Sequence, residues 1–336
     1  MPDIRAVAAA ANVSIATVSR TINGSTLVSD RLNQRVWQAV RQLNYLPNTH
    51  ARALVSGHSR IFGIIVENIC NPFFSELIQG FESLAVANGY EILVGSTNGN
   101  SAVLAACARR MLERKVDGVA VMTFGEEEPV LDQLVHRGVP IVLAEFRLDD
   151  PKASTILLDY STGIRDAIQH LAALGHRAIA FLAGPHRLHS AITRENEFRS
   201  AMQADGLALE NQWVIECDHT AKGGVAGFEQ LRNLASRPTA IVCSNDMTAI
   251  GVLRAAYMAG LRVPQDLSVI GLDDIDFAEF TLPPLTSIRL SRAELARAAF
   301  DALRLQAEDS RDPKTQREFL VSTSLVVRGS TAAPPS

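Results

Sequence analysis

Apolar residues recur at helical spacing near the start of the chain. Ser14 is a residue type that caps helix N-termini, and apolar side chains follow it at positions 15, 18 and 22. The intervening positions hold hydrogen-bond donors, which are Thr17, Ser19 and Arg20. The pattern predicts a short helix with one apolar face and one polar face.

A second amphipathic helix is predicted directly upstream, with an apolar face made of Ile4, Val7, Ala8 and Ala11. Asn12 lies between the two helices, and asparagine tolerates the left-handed backbone that tight turns need. Two short helices joined by a tight turn are typical of a helix-turn-helix. The same local pattern also fits an ordinary helical hairpin packed in a core.

A third, longer helix is predicted after Ser29, which we expect to be its N-cap. We expect Pro47 to end this helix. Residues 1–47 should therefore form a compact helical head, and residues 48–59 read as a linker with helical tendency. The apolar face of the third helix is Leu32, Val36, Val40 and Leu43.

From residue 61 onward, buried-strand runs alternate with helical segments, which predicts parallel, doubly wound sheets. There are too many units for one sheet, so we expect two similar α/β lobes. The predicted strands are residues 61–66, 91–94, 118–122, 140–143, 155–158, 178–182, 240–243 and 267–271.

Such sheets bind ligands where the carboxyl ends of their strands meet the loops. The loops at these ends are polar, aromatic or glycine-containing, which predicts a single cleft between the lobes. They are residues 67–74, 145–147, 184–194, 219–224, 244–246 and 273–276.

The charge of the chain is unevenly distributed. The 336 residues carry a net charge of −4, yet residues 1–60 contain seven arginines and no lysine against only Asp3 and Asp30, a net charge of +5. A basic head on an acidic body indicates a polyanionic partner for the head alone.

Several classes of protein are disfavoured by what the sequence lacks. It has no signal-peptide pattern and no apolar stretch long enough to cross a bilayer, so we expect a cytoplasmic protein with no membrane partner. Its four cysteines are far apart, so we expect neither a metal site nor disulfides. We find none of the common nucleotide-binding, hydrolase or zinc-protease motifs, and we expect no cofactor and no enzyme activity.

The motifs resemble those of the lactose-repressor family of bacterial transcription regulators. In the head, Val7-Ala8, Val13-Ser14, Thr17-Val18-Ser19-Arg20 and Asn23 have the family's spacing, and LNYLPN follows at residues 43–48. The core adds NPFF at 71–74, LGH at 174–176, AGP at 183–185, ND at 245–246, GLRVP at 260–264, DLSVIG at 266–271, DD at 273–274 and PPLT at 283–286.

The resemblance implies a helix-turn-helix head and a periplasmic-binding-protein-like core at residues 60–330, whose two lobes are joined by three crossing strands. The N-lobe would take residues 60–158 and 288–317, the C-lobe residues 159–287 and 318–330, and residues 331–336 would be a tail. It also implies a homodimer on a pseudo-palindromic operator. The absence of C-terminal heptads favours the dimer over a tetramer.

By the same resemblance, the second helix lies in the major groove of double-stranded DNA and reads bases through Ile15, Ala16 and Arg20. Arginine forms bidentate hydrogen bonds with guanine, whereas Ile15 and Ala16 offer only apolar contacts. Residues capping the helix or facing phosphates would be Ser14, Thr17, Ser19 and Asn23. Alternatively, Thr17 only stabilises the helix and Ile15 is partly buried.

The linker would become a hinge helix at residues 48–56, beginning at Asn48. Leu54 matches the residue that, with its dimer mate, wedges into the minor groove and kinks the duplex. Ala51 would let the two hinge helices pack closely. Without the resemblance, Leu54 would read as a satellite core residue.

The family's small-molecule effector lies between the lobes, and the matching residues are Arg194 and Asp273, with Asn245 beside them. An arginine and an aspartate suit a polyhydroxylated ligand. Phe73 or Phe74 would cover a sugar face. The alternatives are a solvated or capping loop for Asp273 and core packing for Phe74.

Departures from the family pattern bear on which effector binds. The family often has an aromatic residue that clamps the ligand shortly before a glycine–aromatic pair, which here is Gly227-Phe228. Counting back without gaps puts Lys222 at the position of this clamp, or His219 if the loop is longer. We expect further polar side chains there, so the sequence predicts an anionic effector, a sugar acid or sugar phosphate, unless these side chains are solvated. They are Glu145, Arg147, His186 and Arg187.

The leading prediction is a repressor of a carbohydrate or sugar-acid operon controlled by this effector. A co-repressor-dependent regulator of another pathway is the alternative. A solute-binding receptor or an enzyme on the same lobes is more remote, because neither accounts for the basic head.

Overall fold

The computed structural model describes residues 2–22, 27–45, 58–124, 129–308 and 317–335. The chain divides into two compact units, Met1–Ser59 and Arg60–Ser336. Among the described residues, no helix is both long enough and apolar enough to span a bilayer.

The first unit contains three helices, α1 (Ile4–Ala11), α2 (Ile15–Ile22) and α3 (Asp30–Gln42). They enclose a small apolar core that includes Val7, Val18 and Val36, each of them fully buried. Asn12 has the predicted left-handed backbone, with φ of 48°. Its conformation lets the Val13 amide donate to the Ala8 carbonyl at 3.0 Å, which closes α1.

The third helix differs from the prediction at both ends. Ser29 precedes α3 with extended backbone, but its side chain makes no capping hydrogen bond. The helix ends at Gln42, before Pro47, and Asn44 then takes a left-handed backbone with φ of 46°. Pro47 itself lies outside the described residues.

The second unit begins with a parallel sheet in the order β2-β1-β3-β4-β5. Its alternation with helices confirms the predicted α/β class. The strands are β1 (Ile61–Val66), β2 (Glu91–Ser96), β3 (Gly118–Met122), β4 (Ile141–Ala144) and β5 (Ala153–Asp159), and the helices are α4 (Pro72–Ala87), α5 (Ser101–Glu113) and α6 (Pro129–His136).

A second parallel sheet has the order β7-β6-β8-β9-β10. Its strands are β6 (Ile179–Ala183), β7 (Val214–Glu216), β8 (Ala240–Cys243), β9 (Ser268–Asp273) and β10 (Thr286–Leu290). Its helices are α7 (Ser161–Ala173), α8 (His189–Ala204), α9 (Ala221–Arg232) and α10 (Asp246–Met258). Short 3₁₀ helices occur at Asn211–Trp213 and Asp276–Phe280.

The chain passes between the two sheets three times. It leaves the first sheet after β5, and after β10 it returns to pack α11 (Arg292–Glu308) on α4. Strand β11 (Glu318–Val326) then joins both sheets, because residues 318–322 pair parallel with β5 and residues 323–326 pair antiparallel with β10. The predicted lobe boundaries at residues 288 and 318 are therefore a few residues too early.

The last described residues pack on the second lobe instead of forming a free tail. The Ala332 amide donates to Ser268 Oγ at 3.1 Å, and the Ala332 carbonyl lies 2.8 Å from Nε2 of the buried His176. Ser330 is fully buried and donates to the Val269 carbonyl.

Candidate functional site

The polar face of α2 is exposed, as an element that meets a partner must be. Ile15 is 46% exposed, and Ala16 and Arg20 are also exposed, whereas Val18 is buried. Residues four apart share a helix face, so Ala16 and Arg20 are neighbours on the surface. Ile15 is not among the described side chains that pack on the apolar core of the head, so the alternative that it is partly core is not supported.

Ser14 caps α2 as predicted, because the Thr17 amide donates to Ser14 Oγ at 3.1 Å. The hydroxyls of these two residues lie 2.9 Å apart, so Thr17 takes part in the cap itself. Arg35 on α3 fixes the preceding turn by donating to the carbonyls of Ala11 and Asn12 at 2.6 and 3.2 Å. Arg35 thus helps to set the orientation of α2 from another helix.

Four residues predicted to contact DNA, Asn23, Asn48, Ala51 and Leu54, lie outside the described residues. Their roles stay predictions. Ser19 is half-buried on the polar side of α2.

A cavity of about 80 Å³, partly open to solvent, lies in the second unit, at the carboxyl ends of strands from both sheets. It joins the ends of β1, β8 and β9 with the loops that precede α8 and α9. The described part of its lining contains three acidic side chains and a single arginine. The lining residues are Glu67, Asn68, Asn71, Phe73, Phe74, Phe124, Leu188, Ser190, Arg194, Asp218, His219, Thr220, Asn245 and Asp273.

Arg194 is the basic residue of the lining, and only 5% of it is exposed. It donates from Nη1 to the Ser244 carbonyl at 2.7 Å and from Nη2 to the Tyr160 hydroxyl at 3.0 Å. Its guanidinium also lies 4.6 Å from the centre of the Tyr160 ring, a cation–π distance. Within the described part of the chain its Nε has no hydrogen-bond partner, so a donor remains available in a dry site.

Asp273 ends β9 with its carboxyl buried at the cavity. Burial raises its pKa to about 7, although the positive charges of Arg194 and Arg292 oppose the shift. Behind it, burial and the neighbouring Asp273 raise the pKa of Asp246 well above the usual range. Asp246 accepts hydrogen bonds from Ser287 Oγ and the Ile275 amide, so it anchors the loop that carries Asp273.

Glu145 lies near Arg194 and Tyr160 but does not line the cavity. Its backbone is left-handed, with φ of 65°. Burial raises its pKa to about 7, while the charge of Arg194 and a hydrogen bond from Tyr160 oppose the shift. Among the described residues its Oε2 has no hydrogen-bond partner. Arg194 is thus surrounded by more buried carboxyls than its single charge balances.

Asn245 and His219 form one wall of the cavity. Asn245 Nδ2 donates to the His219 carbonyl at 3.0 Å, while its Oδ1 accepts from the Thr248 amide and caps α10. His219 Nε2 lies 2.9 Å from Ser244 Oγ. Gly184 makes room for the imidazole, because a Cβ there would lie 2.0 Å from its Nε2. Burial lowers the pKa of His219 to about 3, so the ring is neutral at pH 7.

Aromatic side chains form the wall contributed by the first lobe. Phe73 and Phe74, at the start of α4, lie edge to face with ring centroids 5.3 Å apart, and Phe124 lies 5.8 Å from Phe74. All three are nearly fully buried. They line the cavity and also belong to the main apolar core, so the core-packing alternative for Phe74 is correct as well.

The structure does not bring most of the predicted basic side chains into the cavity. Arg147 is exposed and pairs with Glu318 at 2.8 Å, because the second half of the core returns next to β5. Lys222 is exposed on the first turn of α9, and His219 lines the cavity instead. These two placements correct the prediction of a basic cleft.

His186 and Arg187 are also neutralised by acidic partners. His186 lies 2.9 Å from Glu195 and 3.4 Å from Glu216, outside the lining. Arg187 pairs with the lining residue Glu67 at 3.0 Å. Neither presents an unpaired positive charge to the cavity.

Several site residues were not singled out from the sequence. Most lie in loops that had been predicted to line the cleft, so their strand-end position was the available signal. Tyr160, which orders Arg194, carried no such signal, because it lies on a chain crossing. The other residues in this group are Glu67, Asn68, Phe124, Leu188, Ser190, Asp218 and Thr220.

The described residues contain no group of three or more histidine, cysteine, aspartate or glutamate side chains suited to a metal ion. The four cysteines are free thiols, of which Cys70 alone is exposed.

Comparisons with known proteins agree with both units. Residues 3–48 match the family described as bacterial regulatory proteins, lacI family, and residues 168–331 match the periplasmic binding protein-like domain. The Ribose operon repressor of Haemophilus influenzae is 33% identical over 303 residues, which cover 90% of this chain and 91% of that protein.

Two further relatives extend over nearly the whole chain. The HTH-type transcriptional repressor CytR of Escherichia coli is 33% identical and covers 98% of this chain and 96% of its own length. A crystal structure of the Lac repressor dimer bound to operator and the anti-inducer ONPF has a TM-score of 0.86 and 27% identity, with 99% of each chain covered. The chain therefore belongs to the lactose-repressor family of bacterial regulatory proteins, and it is a DNA-binding transcriptional repressor, not an enzyme.

Proposed function

We propose that this repressor is controlled by a neutral, polyhydroxylated small molecule that binds in the cavity between the two lobes. The supporting observation is the charge of the lining, where among the described residues Glu67, Asp218 and Asp273 face a single arginine, Arg194. His219 adds no positive charge at pH 7. A ligand with adjacent hydroxyls satisfies both the unused Nε donor of Arg194 and the Asp273 carboxyl.

The aromatic wall supports the same class of ligand. Phe73 and Phe74 offer an apolar face against the C–H surface of a sugar ring, while the opposite wall is polar. The names of two relatives refer to sugars. They are a Ribose operon repressor and a transcriptional regulator in complex with cellobiose.

A sugar acid or sugar phosphate, the class that the sequence predicts, is the second candidate. Arg187 at the rim and Arg194 in the lining favour it. The exposed positions of Arg147 and Lys222 count against it, because an anion would then meet mostly carboxylates.

For the DNA side, we propose that α2 reads operator bases through Ile15, Ala16 and Arg20, with Leu54 wedged in the minor groove. The operator would be a pseudo-palindrome bound by a homodimer, as in the relative whose title describes a dimer bound to operator. Large exposed apolar side chains support a partner surface on the second lobe, since Tyr257, Phe280 and Leu282 are 79%, 78% and 93% exposed.

The switch would follow from differential affinity. An effector that binds one arrangement of the lobes more tightly shifts the population toward it, and the heads are then held together or released. The same switch operates with an inducer or with a co-repressor. It also does not depend on whether the regulated genes belong to carbohydrate catabolism.

A calorimetric panel at pH 7 tests the proposed ligand class. The panel is D-ribose, cellobiose, a ribonucleoside, D-gluconate and glucose 6-phosphate, titrated into the full-length protein. We expect at least one neutral member to bind, and Asp273→Asn to weaken that binding at least tenfold, because a buried hydrogen-bonding partner of the hydroxyls changes.

Lys222→Gln is the matched control, since this side chain is exposed outside the cavity and its loss should leave affinity unchanged. Binding of the anions alone, weakened by Lys222→Gln, would contradict the proposal and restore the sugar-acid class.

A further inference from the structure

One ion pair joins the two lobes across the rim of the cavity. Glu67 follows β1 in the first lobe, and Arg187 lies in the loop between β6 and α8 in the second lobe. Arg187 Nη2 is 3.0 Å from Glu67 Oε1. The Glu67 side chain is 17% exposed and lines the cavity, whereas Arg187 is 54% exposed and does not.

The first lobe holds Glu67 in place through its backbone. The Asn98 amide donates to the Glu67 carbonyl at 2.6 Å, and the Thr97 hydroxyl lies 3.4 Å from the same oxygen. The loop after β2 therefore supports the end of β1. The Glu67 carboxylate that pairs with Arg187 is therefore held by the ends of two neighbouring strands, β1 and β2.

Gly99, in that same loop, provides the space for the arginine. A Cβ at Gly99 would lie 2.8 Å from Nη2, 3.0 Å from Nη1 and 3.1 Å from Cζ of Arg187. All three atoms belong to the planar guanidinium, so the plane lies against the bare glycine backbone. Gly99 has φ of +67°. Through the Arg187 side chain, the second lobe thus contacts the first lobe at two residues, Glu67 and Gly99.

The energetic scale of this contact decides what it does. An exposed ion pair changes an equilibrium by no more than about fivefold, which is too little to hold a domain together. It is enough to change a two-state population several-fold, because about 1.4 kcal/mol corresponds to a factor of ten. The pair also offsets the charge of the one acidic residue that the first lobe contributes to the described lining.

We propose that Arg187, seated on Gly99 and paired with Glu67, is a positioning residue that clasps the two lobes at the cavity rim and raises effector affinity without touching the effector. The proposal rests on the effector cavity proposed above. It assigns Gly99 a role that depends on the absence of a side chain, because a Cβ there would displace the guanidinium of Arg187. The clasp favours the arrangement of the lobes in which the cavity is enclosed.

Glycine substitutions provide the sharpest test. Gly99→Ala and Gly206→Ala place alanine at nearly the same backbone angle, with φ of +67° and +66°, but nothing lies within 4 Å of a Cβ at Gly206. Both variants carry the same backbone strain, and only Gly99→Ala displaces Arg187. Arg187→Ala removes the clasp directly, and the double variant Gly99→Ala/Arg187→Ala completes a cycle.

The first measurement is independent of any ligand. In a Cys70→Ser background, spin labels at Arg109→Cys on α5 and Gln203→Cys on α8 report the distance between the lobes, with unlabelled protein in excess so that one subunit per dimer carries labels. Both positions are exposed. We expect Gly99→Ala and Arg187→Ala to broaden the distance distribution, and Gly206→Ala to leave it unchanged.

The second measurement is the affinity for D-ribose by calorimetry. We expect Gly99→Ala and Arg187→Ala each to weaken binding by about two- to fivefold, with the double variant no weaker than Arg187→Ala. Arg187→Lys should recover part of the loss, since it keeps the charge but lacks the planar group.

The outcomes separate the clasp from the ligand. If Gly99→Ala still acts in the Arg187→Ala background, or if neither variant changes the label distances, the clasp is wrong. If D-ribose does not bind the unmodified protein, ribose is excluded as the effector. The distances between the spin labels still test the clasp in that case.

Discussion

The exposed face of α2 and the cavity between the lobes contain arginines in opposite surroundings. Arg20 is exposed on α2, whereas Arg194 is 5% exposed and held by Ser244 and Tyr160. An exposed charge keeps its hydration and is screened by salt, so the energy of its interactions depends on the ionic strength. A buried charge depends on fixed partners, and its energetics respond to protonation of those partners more than to salt.

Removing the buried arginine should have the largest effect. Arg194→Met leaves the Glu145 carboxyl without its nearby positive charge and leaves Asp273 with Arg292 alone, and losing one partner of a buried charge cluster typically costs about 3–5 kcal/mol. We expect the free energy of unfolding of the core to fall by about that amount, measured by urea denaturation at pH 7.

Arg187→Met is the control for this change, because the exposed clasp arginine should cost no more than about 1 kcal/mol. Equal losses in the two variants would mean that burial does not distinguish the two kinds of site, and the comparison would fail.

The difference in surroundings also explains how far the sequence alone predicts each region. The turn at Asn12 and the cap at Ser14 depend on neighbours a few residues away, and the structure confirms both. The two α/β lobes and the loops around the cavity were predictable because parallel strands bring their carboxyl ends to one edge. The structure brings Arg194, Asn245 and Asp273 together there.

Charge partners were not predictable, because they come from distant parts of the chain. Arg147 pairs with Glu318 only because β11 returns beside β5. The choice between His219 and Lys222 depended on a left-handed residue, since His219 has φ of 61° and α9 begins two residues later. The charge of the described cavity lining depends on these placements, so its sign could not be predicted from the composition of the chain.

Replacing the exposed reader should have an intermediate effect that depends on DNA sequence. We expect Arg20→Ala to lower operator affinity by roughly 1–3 kcal/mol and to relax one operator position, because bidentate hydrogen bonds with a guanine are lost. Fluorescence anisotropy on operator and scrambled duplexes at several salt concentrations measures both terms.

Arg5→Ala removes an exposed arginine from α1 and should weaken operator and scrambled DNA alike, if at all. Should Arg20→Ala also weaken both duplexes equally, Arg20 would be a phosphate contact and the base-reading role would be lost.

The smallest effect concerns pH, which should act on the cavity and not on the head. Burial raises the pKa of Glu145 to about 7, so the folded state holds a proton that the unfolded chain releases near pH 4.5. The native state then binds more protons than the unfolded state between these values, and this group's contribution to stability is complete below about pH 4.5 and is lost as pH rises through 7.

Glu145→Gln keeps a neutral side chain throughout. Urea denaturation of both proteins from pH 5.5 to 7 should show Glu145→Gln gaining about 1–2 kcal/mol relative to the unmodified protein as pH rises, with the opposing charge of Arg194 already included in the raised pKa. A constant difference between the two proteins across this range would mean that Glu145 is already ionised in the folded state and that Arg194 balances it fully.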